Sequence, residues 1–100
     1  ILNLIREEFF TANMAVEEPE KIISDMCDKL YARGYVKENF KEGVLKRERL
    51  SPTSFFHGFA IPHNMSHQET IHSAISTAIL KQPVQWGSYE VQSQKKIEIF

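Results

Sequence analysis

From Glu17 onward the apolar positions fall at helical spacing. Ile22, Ile23, Met26, Cys27, Leu30 and Tyr31 recur three and four residues apart, one face of an amphipathic helix. Glu17, Glu18 and Glu20 place acidic side chains in the first turn, around a proline whose missing N–H has no intrahelical partner there. Arg33-Gly34 closes the pattern with a cation at the carbonyl end and a residue that accepts positive φ. The spacing predicts a helix over 19–33. A second helix is predicted over 37–48, with Phe40, Val44 and Leu45 as its apolar stripe and Lys41, Glu42, Lys46 and Glu48 facing out. Gly43 weakens that helix by about 1 kcal/mol relative to alanine, so its position points to close packing. Ser51-Pro52 ends it, because a proline disfavours α conformation in the residue before it.

Elsewhere the pattern is that of strands. Phe9, Phe10 and Thr11 predict a short strand near 8–13. Gly58-Phe59-Ala60-Ile61 reads as a short strand terminated by Pro62. From Ser73 to Leu80 both faces are apolar or small, as in a central strand covered on both sides. Gln82-Pro83 breaks it, Gly87-Ser88 turns the chain after Trp86, and a last strand starts near Lys95. Alternating helices and strands predict an α/β layer fold.

The composition bounds the function. One hundred residues, 42% apolar and 25% charged, suit one globular core. No apolar run approaches the roughly 20 residues of a membrane-spanning helix. A single cysteine excludes an intrachain disulfide. Twelve basic against thirteen acidic residues give this segment no electrostatic case for nucleic-acid contact. The chain opens without methionine and closes on a strand pattern, which predicts a portion of something longer.

Candidate chemistry is concentrated in His57, His63, His67 and His72. There is no Gly-rich phosphate loop, G-x-S-x-G or C-x-x-C motif. His63 and His67 are four apart, but Pro62 and Asn64 favour a loop there; His67 and His72 are five apart and lack the H-E-x-x-H order. A metal-dependent hydrolase built on this cluster is one hypothesis, and a pure binding domain is another. Cys27 lies on an apolar helix face, where a thiol behaves as a small hydrophobe. His63 stands directly after a short strand, held by Pro62. Ligand and catalytic groups collect at strand ends in α/β sheets, and a histidine there can act as acid, base or nucleophile; hydrogen bonding to backbone is the alternative duty.

Arg47-Glu48-Arg49-Leu50-Ser51-Pro52-Thr53, Gly58-Phe59-Ala60-Ile61-Pro62-His63 and Pro83-Val84-Gln85-Trp86-Gly87 together resemble the mannitol/fructose-type enzyme IIA domain of the bacterial phosphoenolpyruvate-dependent sugar phosphotransferase system. That resemblance implies a mixed β-sheet flanked by helices on both faces. It implies a single enzyme IIA domain over 1–100, truncated at the C-terminus, with the family's second histidine beyond residue 100. It makes His63 the acceptor, on Nε2, of a phosphoryl group from the carrier protein HPr, with no metal, ATP or organic cofactor. Arg47 matches the family arginine and can pair with phosphoryl oxygens, or satisfy helix-end carbonyls instead. Thr53 and Ser54 can donate to the phosphoryl group or serve the turn. His57 flanks the site. Phe55, Phe56, Phe59 and Met65 surround His63, and a docking surface for HPr requires at least one of them exposed. Two roles follow from the resemblance. One is a regulatory module of a sugar-responsive transcriptional antiterminator or activator, working with PTS-regulation domains; Asn64, where transporters commonly have glycine, leans this way. The other is a transport component, a phosphotransferase relaying the group to an enzyme IIB cysteine. Both imply a cytoplasmic setting.

Overall fold

The computed structural model describes residues 5–15, 18–54, 58–65, 68–72, 74–91 and 96–99. The elements run β1 (Ile5–Met14), α1 (Pro19–Ala32), α2 (Phe40–Leu50), β2 (Ile75–Leu80), β3 (Val84–Trp86), β4 (Tyr89–Val91) and β5 (Lys96–Ile99). One sheet has the order β1-β2-β5, with β1 parallel and β5 antiparallel to β2. β3 and β4 form a separate antiparallel hairpin. This is the mixed α/β architecture expected, with β2 as the central strand.

β1 shows how side-chain parity and pairing are linked. Phe9 is buried and Phe10 exposed, as period 2 requires, yet Met14 is buried too. Thr11 pairs with Ala78 and Met14 with Leu80, so β1 carries one extra residue, a bulge that returns Met14 to the core face.

α1 starts with Pro19 at its first position, as predicted. It buries Ile22, Ile23, Met26, Cys27 and Leu30. Gly34 has φ +75°; its N–H donates to the Tyr31 carbonyl and that of Tyr35 to Leu30, both at 3.0 Å, the paired bonds of a Schellman cap.

α2 differs from its prediction at both ends. Val36 bridges Thr70 and the Lys37 N–H donates to the Glu69 carbonyl at 2.8 Å. These residues are therefore extended, and the helix begins at Phe40 rather than 37. It runs to Leu50 rather than 48 because the Arg47 guanidinium donates to the Ser51 carbonyl at 2.8 Å, supporting an extra half-turn before Pro52. Glu48, expected to face out, is buried.

The predicted strand over 58–61 is reduced to one rung, between Ser54 and Ala60. Gly58 at φ +89° precedes that rung, and Pro62, which has no N–H to donate, follows it. Conversely, β3 and β4 are strands where only a turn at Gly87-Ser88 was predicted. The core joins both sheets to the helices through Phe9, Phe40, Leu80, Trp86 and Ile99 among others. Among the described residues no helix is long and apolar enough to cross a membrane.

Candidate functional site

His63 is fixed by its own backbone neighbourhood. Ala60 and Pro62 are fully buried, anchoring the segment on either side of Ile61. The Ile61 N–H donates to the Thr53 carbonyl at 3.2 Å, which ties this segment to the loop leaving α2. The His63 ring then returns on itself, with Nδ1 2.9 Å from the Ile61 carbonyl oxygen. A carbonyl oxygen only accepts, so Nδ1 carries the hydrogen in this bond. In the neutral ring Nε2 is consequently left with its lone pair. His63 is half-buried. An imidazole held in this tautomer through Nδ1–H can act as a nucleophile through Nε2.

The loop after α2 is organised by Glu48. Its Oε2 accepts the Thr53 N–H at 2.8 Å and the Trp86 indole N–H at 2.9 Å, and its Oε1 accepts the Thr53 hydroxyl at 2.7 Å. Ser54 donates its hydroxyl to the Trp86 carbonyl. Gly87, at φ +65°, lies so close to Pro52 that an added Cβ would come within 2.6 Å of two of its ring atoms. The three sequence blocks around Arg47, His63 and Trp86 thus meet in one place. The hydroxyls of Thr53 and Ser54 both hold the loop, the turn duty considered for them. Glu48 and Trp86 are not among the site residues that the sequence predicts. The signal for Glu48 was present, since it follows Phe40 and Val44 at intervals of four on the buried face.

Asn64 packs against α2 at Gly43. A Cβ built on Gly43 would stand 2.5 Å from Asn64 Nδ2, 2.7 Å from Oδ1 and 2.8 Å from Cγ, which is the close packing that the glycine predicted. This contact sets the residue after His63 against the helix that carries Arg47 one turn further on. Arg47 is half-buried, with one guanidinium nitrogen on the Ser51 carbonyl. Met65 is 64% exposed, while Phe59 is half-buried. At least one apolar neighbour of His63 is therefore on the surface. Leu50, at the end of α2, is 68% exposed.

Phe55, Phe56, His57 and His67 lie outside the described residues. His72 is exposed and meets the Tyr35 ring edge-on at 5.4 Å, on the side of the fold where Ile71 and His72 donate to the Tyr35 carbonyl. Cys27 is buried, and desolvation, reinforced by Asp28, pushes its thiol up to about 12. Among the described residues no group of three His, Cys, Asp or Glu side chains is gathered closely enough to hold a metal ion.

The site is thus a mixed α/β domain in which a histidine clamped to its own backbone follows a segment tied to the loop leaving the arginine-bearing helix. Residues 3–100 match the family model of the phosphoenolpyruvate-dependent sugar phosphotransferase system, EIIA 2, and the chain belongs to that family. It is 35% identical over 75 residues to the transcriptional regulator ManR of Bacillus subtilis, covering 75% of this chain and 11% of the regulator. It is 26% identical over 91 residues to a mannitol-specific phosphotransferase enzyme IIA component of Halalkalibacterium halodurans, covering 89% of this chain and 63% of that protein. The chain therefore spans less than two thirds of either relative. Its fold matches the enzyme IIA–phosphorylated enzyme IIB complex of the Escherichia coli mannitol system with a TM-score of 0.84 at 17% identity, over 96% of this chain and 69% of that one. The family thus occurs both in transcriptional regulators and in sugar-transport components.

Proposed function

We propose that His63 accepts a phosphoryl group on Nε2 from phosphorylated HPr, and that the domain serves as the regulatory module of a sugar-responsive, cytoplasmic transcriptional antiterminator or activator. The observation that carries the chemistry is the 2.9 Å contact between Nδ1 and the Ile61 carbonyl. It commits the proton to Nδ1 and leaves the Nε2 lone pair for attack. As the Nε2–P bond forms, the donor's N–P bond breaks and its electron pair returns to the donor nitrogen. Phosphoryl transfer of this kind needs alignment and charge compensation more than covalent chemistry. Arg47 supplies the compensating charge by turning guanidinium donors toward the phosphoryl oxygens. Met65 contributes apolar surface to the docking face.

The regulator reading is supported by the match to ManR, at 35% identity over 75 residues. The transport reading, relay to an enzyme IIB cysteine, is supported by the fold match to an enzyme IIA seen with its IIB partner. Incubation with phosphoenolpyruvate, enzyme I and HPr tests the shared step by intact mass: one phosphoryl group is expected on the wild-type chain and none on H63A. Label on H63A would overturn the assignment. Addition of enzyme IIB domains then separates the roles, since a regulatory module retains its phosphoryl group where a transport component loses it.

A further inference from the structure

We infer that Glu48 is a positioning residue that sets the tautomer of His63 through a chain of hydrogen bonds, an inference that rests on His63 being the phosphoryl acceptor. The chain is continuous. The Trp86 indole N–H and the Thr53 N–H both end on Glu48 Oε2, and the Thr53 hydroxyl ends on Oε1. The Thr53 carbonyl receives the Ile61 N–H, and the Ile61 carbonyl receives Nδ1–H of His63.

Each link constrains the next. Two donors from Thr53 on one carboxylate fix that residue in place, with the Trp86 indole N–H sharing Oε2 and holding the carboxylate itself. Thr53 and the Ser54–Ala60 rung then fix Ile61. Pro62, fully buried, restricts the backbone of Ile61 and so aims its carbonyl. Glu48 is only 7% exposed, and a carboxylate removed from water to this extent is costly unless its acceptor sites are used. Here three donors use them, and all three belong to the loop or hairpin that frames the histidine. Without the carboxylate, the Thr53–Ile61 link loosens and the imidazole drifts toward the tautomer favoured in free histidine, with the proton on Nε2 and no lone pair for attack.

Two variants test this in the complete domain. E48Q can place its carbonyl oxygen where Oε2 stands and turn its amide toward the Thr53 hydroxyl, so it preserves the network without the charge. E48D keeps the charge but withdraws the carboxylate by one methylene. The readouts are the His63 tautomer by imidazole nitrogen NMR and the rate of phosphoryl uptake from phosphorylated HPr. E48Q is expected to keep the Nδ1–H tautomer and a rate within about threefold of wild type. E48D is expected to lose Nδ1–H population and to react roughly 10- to 100-fold more slowly, the scale of a misplacement near 1 Å. Unchanged tautomer and rate in E48D, or a loss in E48Q that E48D does not share, overturns the inference. Should E48D not fold, T53V carries the comparison: it deletes one bond, is expected to shift the tautomer in the same direction, and refutes the inference if it does not. A wild-type chain that takes up no phosphoryl group counts against the acceptor reading, whereas the tautomer measurement judges Glu48 independently of it.

Discussion

Replacing Gly43 by alanine sets two effects of similar size against each other. Alanine in a helix interior is worth about 1 kcal/mol over glycine. Against that, the new methyl would stand 2.5–2.8 Å from three atoms of Asn64, roughly 1 Å inside ordinary contact. Overpacking of this kind typically costs ~1–3 kcal/mol. The net change for G43A is therefore a loss of up to ~2 kcal/mol or near neutrality. In an N64A background those three atoms are gone, and G43A should instead stabilise by about 1 kcal/mol, some 4–8 °C in Tm for a chain of this size. N64A alone should cost little. Among the described residues Asn64 Nδ2 is buried without a hydrogen-bond partner, so its removal gives up no bond from that atom. Urea unfolding of the four proteins closes the cycle, with an expected coupling of ~1–3 kcal/mol. G43A should also slow phosphoryl uptake, because displaced Asn64 is bonded to His63. Equal effects of G43A in both backgrounds, within about 0.5 kcal/mol, would refute the packing argument.

Other consequences follow from the same geometry. R47A should reduce phosphoryl uptake roughly 10- to 100-fold while shifting Tm by only a few degrees, since its side chain is half-buried and makes one carbonyl bond; a large Tm loss with an unchanged rate would contradict the charge-compensating role. M65S should leave Tm unchanged and raise the KM for phosphorylated HPr several-fold, an outcome steady-state kinetics can deny. Cys27 should resist alkylation at pH 8, reacting at least ~100-fold more slowly in the native chain than in denaturant. Because the folded-state thiol is raised above its ordinary value, its contribution to stability is complete below about pH 8.5 and is lost as pH rises from there toward 12, which alkaline unfolding curves of wild type and C27A can compare.

The helices and central strand were legible because their patterns are long. Six apolar residues at helical spacing with Pro19 before and Gly34 after leave little freedom for α1. β3 and β4 were not, because three residues each are too few to show a period, and only their turn carried a signal. The strand expected over 58–61 shrank because Gly58 and Pro62 limit pairing on both sides. That the blocks around Arg47, His63 and Trp86 belong together was legible from the sequence, and hydrogen bonds join them in the fold. The charge of Glu48 predicts exposure, whereas its spacing from Phe40 and Val44 places it on the buried face. Its burial is explained only by donors from Thr53 and Trp86, the latter 38 residues away. The bond that holds the His63 ring ends on a backbone carbonyl, and no side-chain pattern encodes it.

The central claim is that Nε2 of His63 takes the phosphoryl group while Nδ1–H remains on the Ile61 carbonyl. Nitrogen-labelled domain, phosphorylated by phosphoenolpyruvate, enzyme I and HPr, tests both halves in one NMR spectrum. The account predicts phosphorus coupling at Nε2 of His63 with Nδ1 still protonated. Coupling at Nδ1, or at any other histidine, would contradict it.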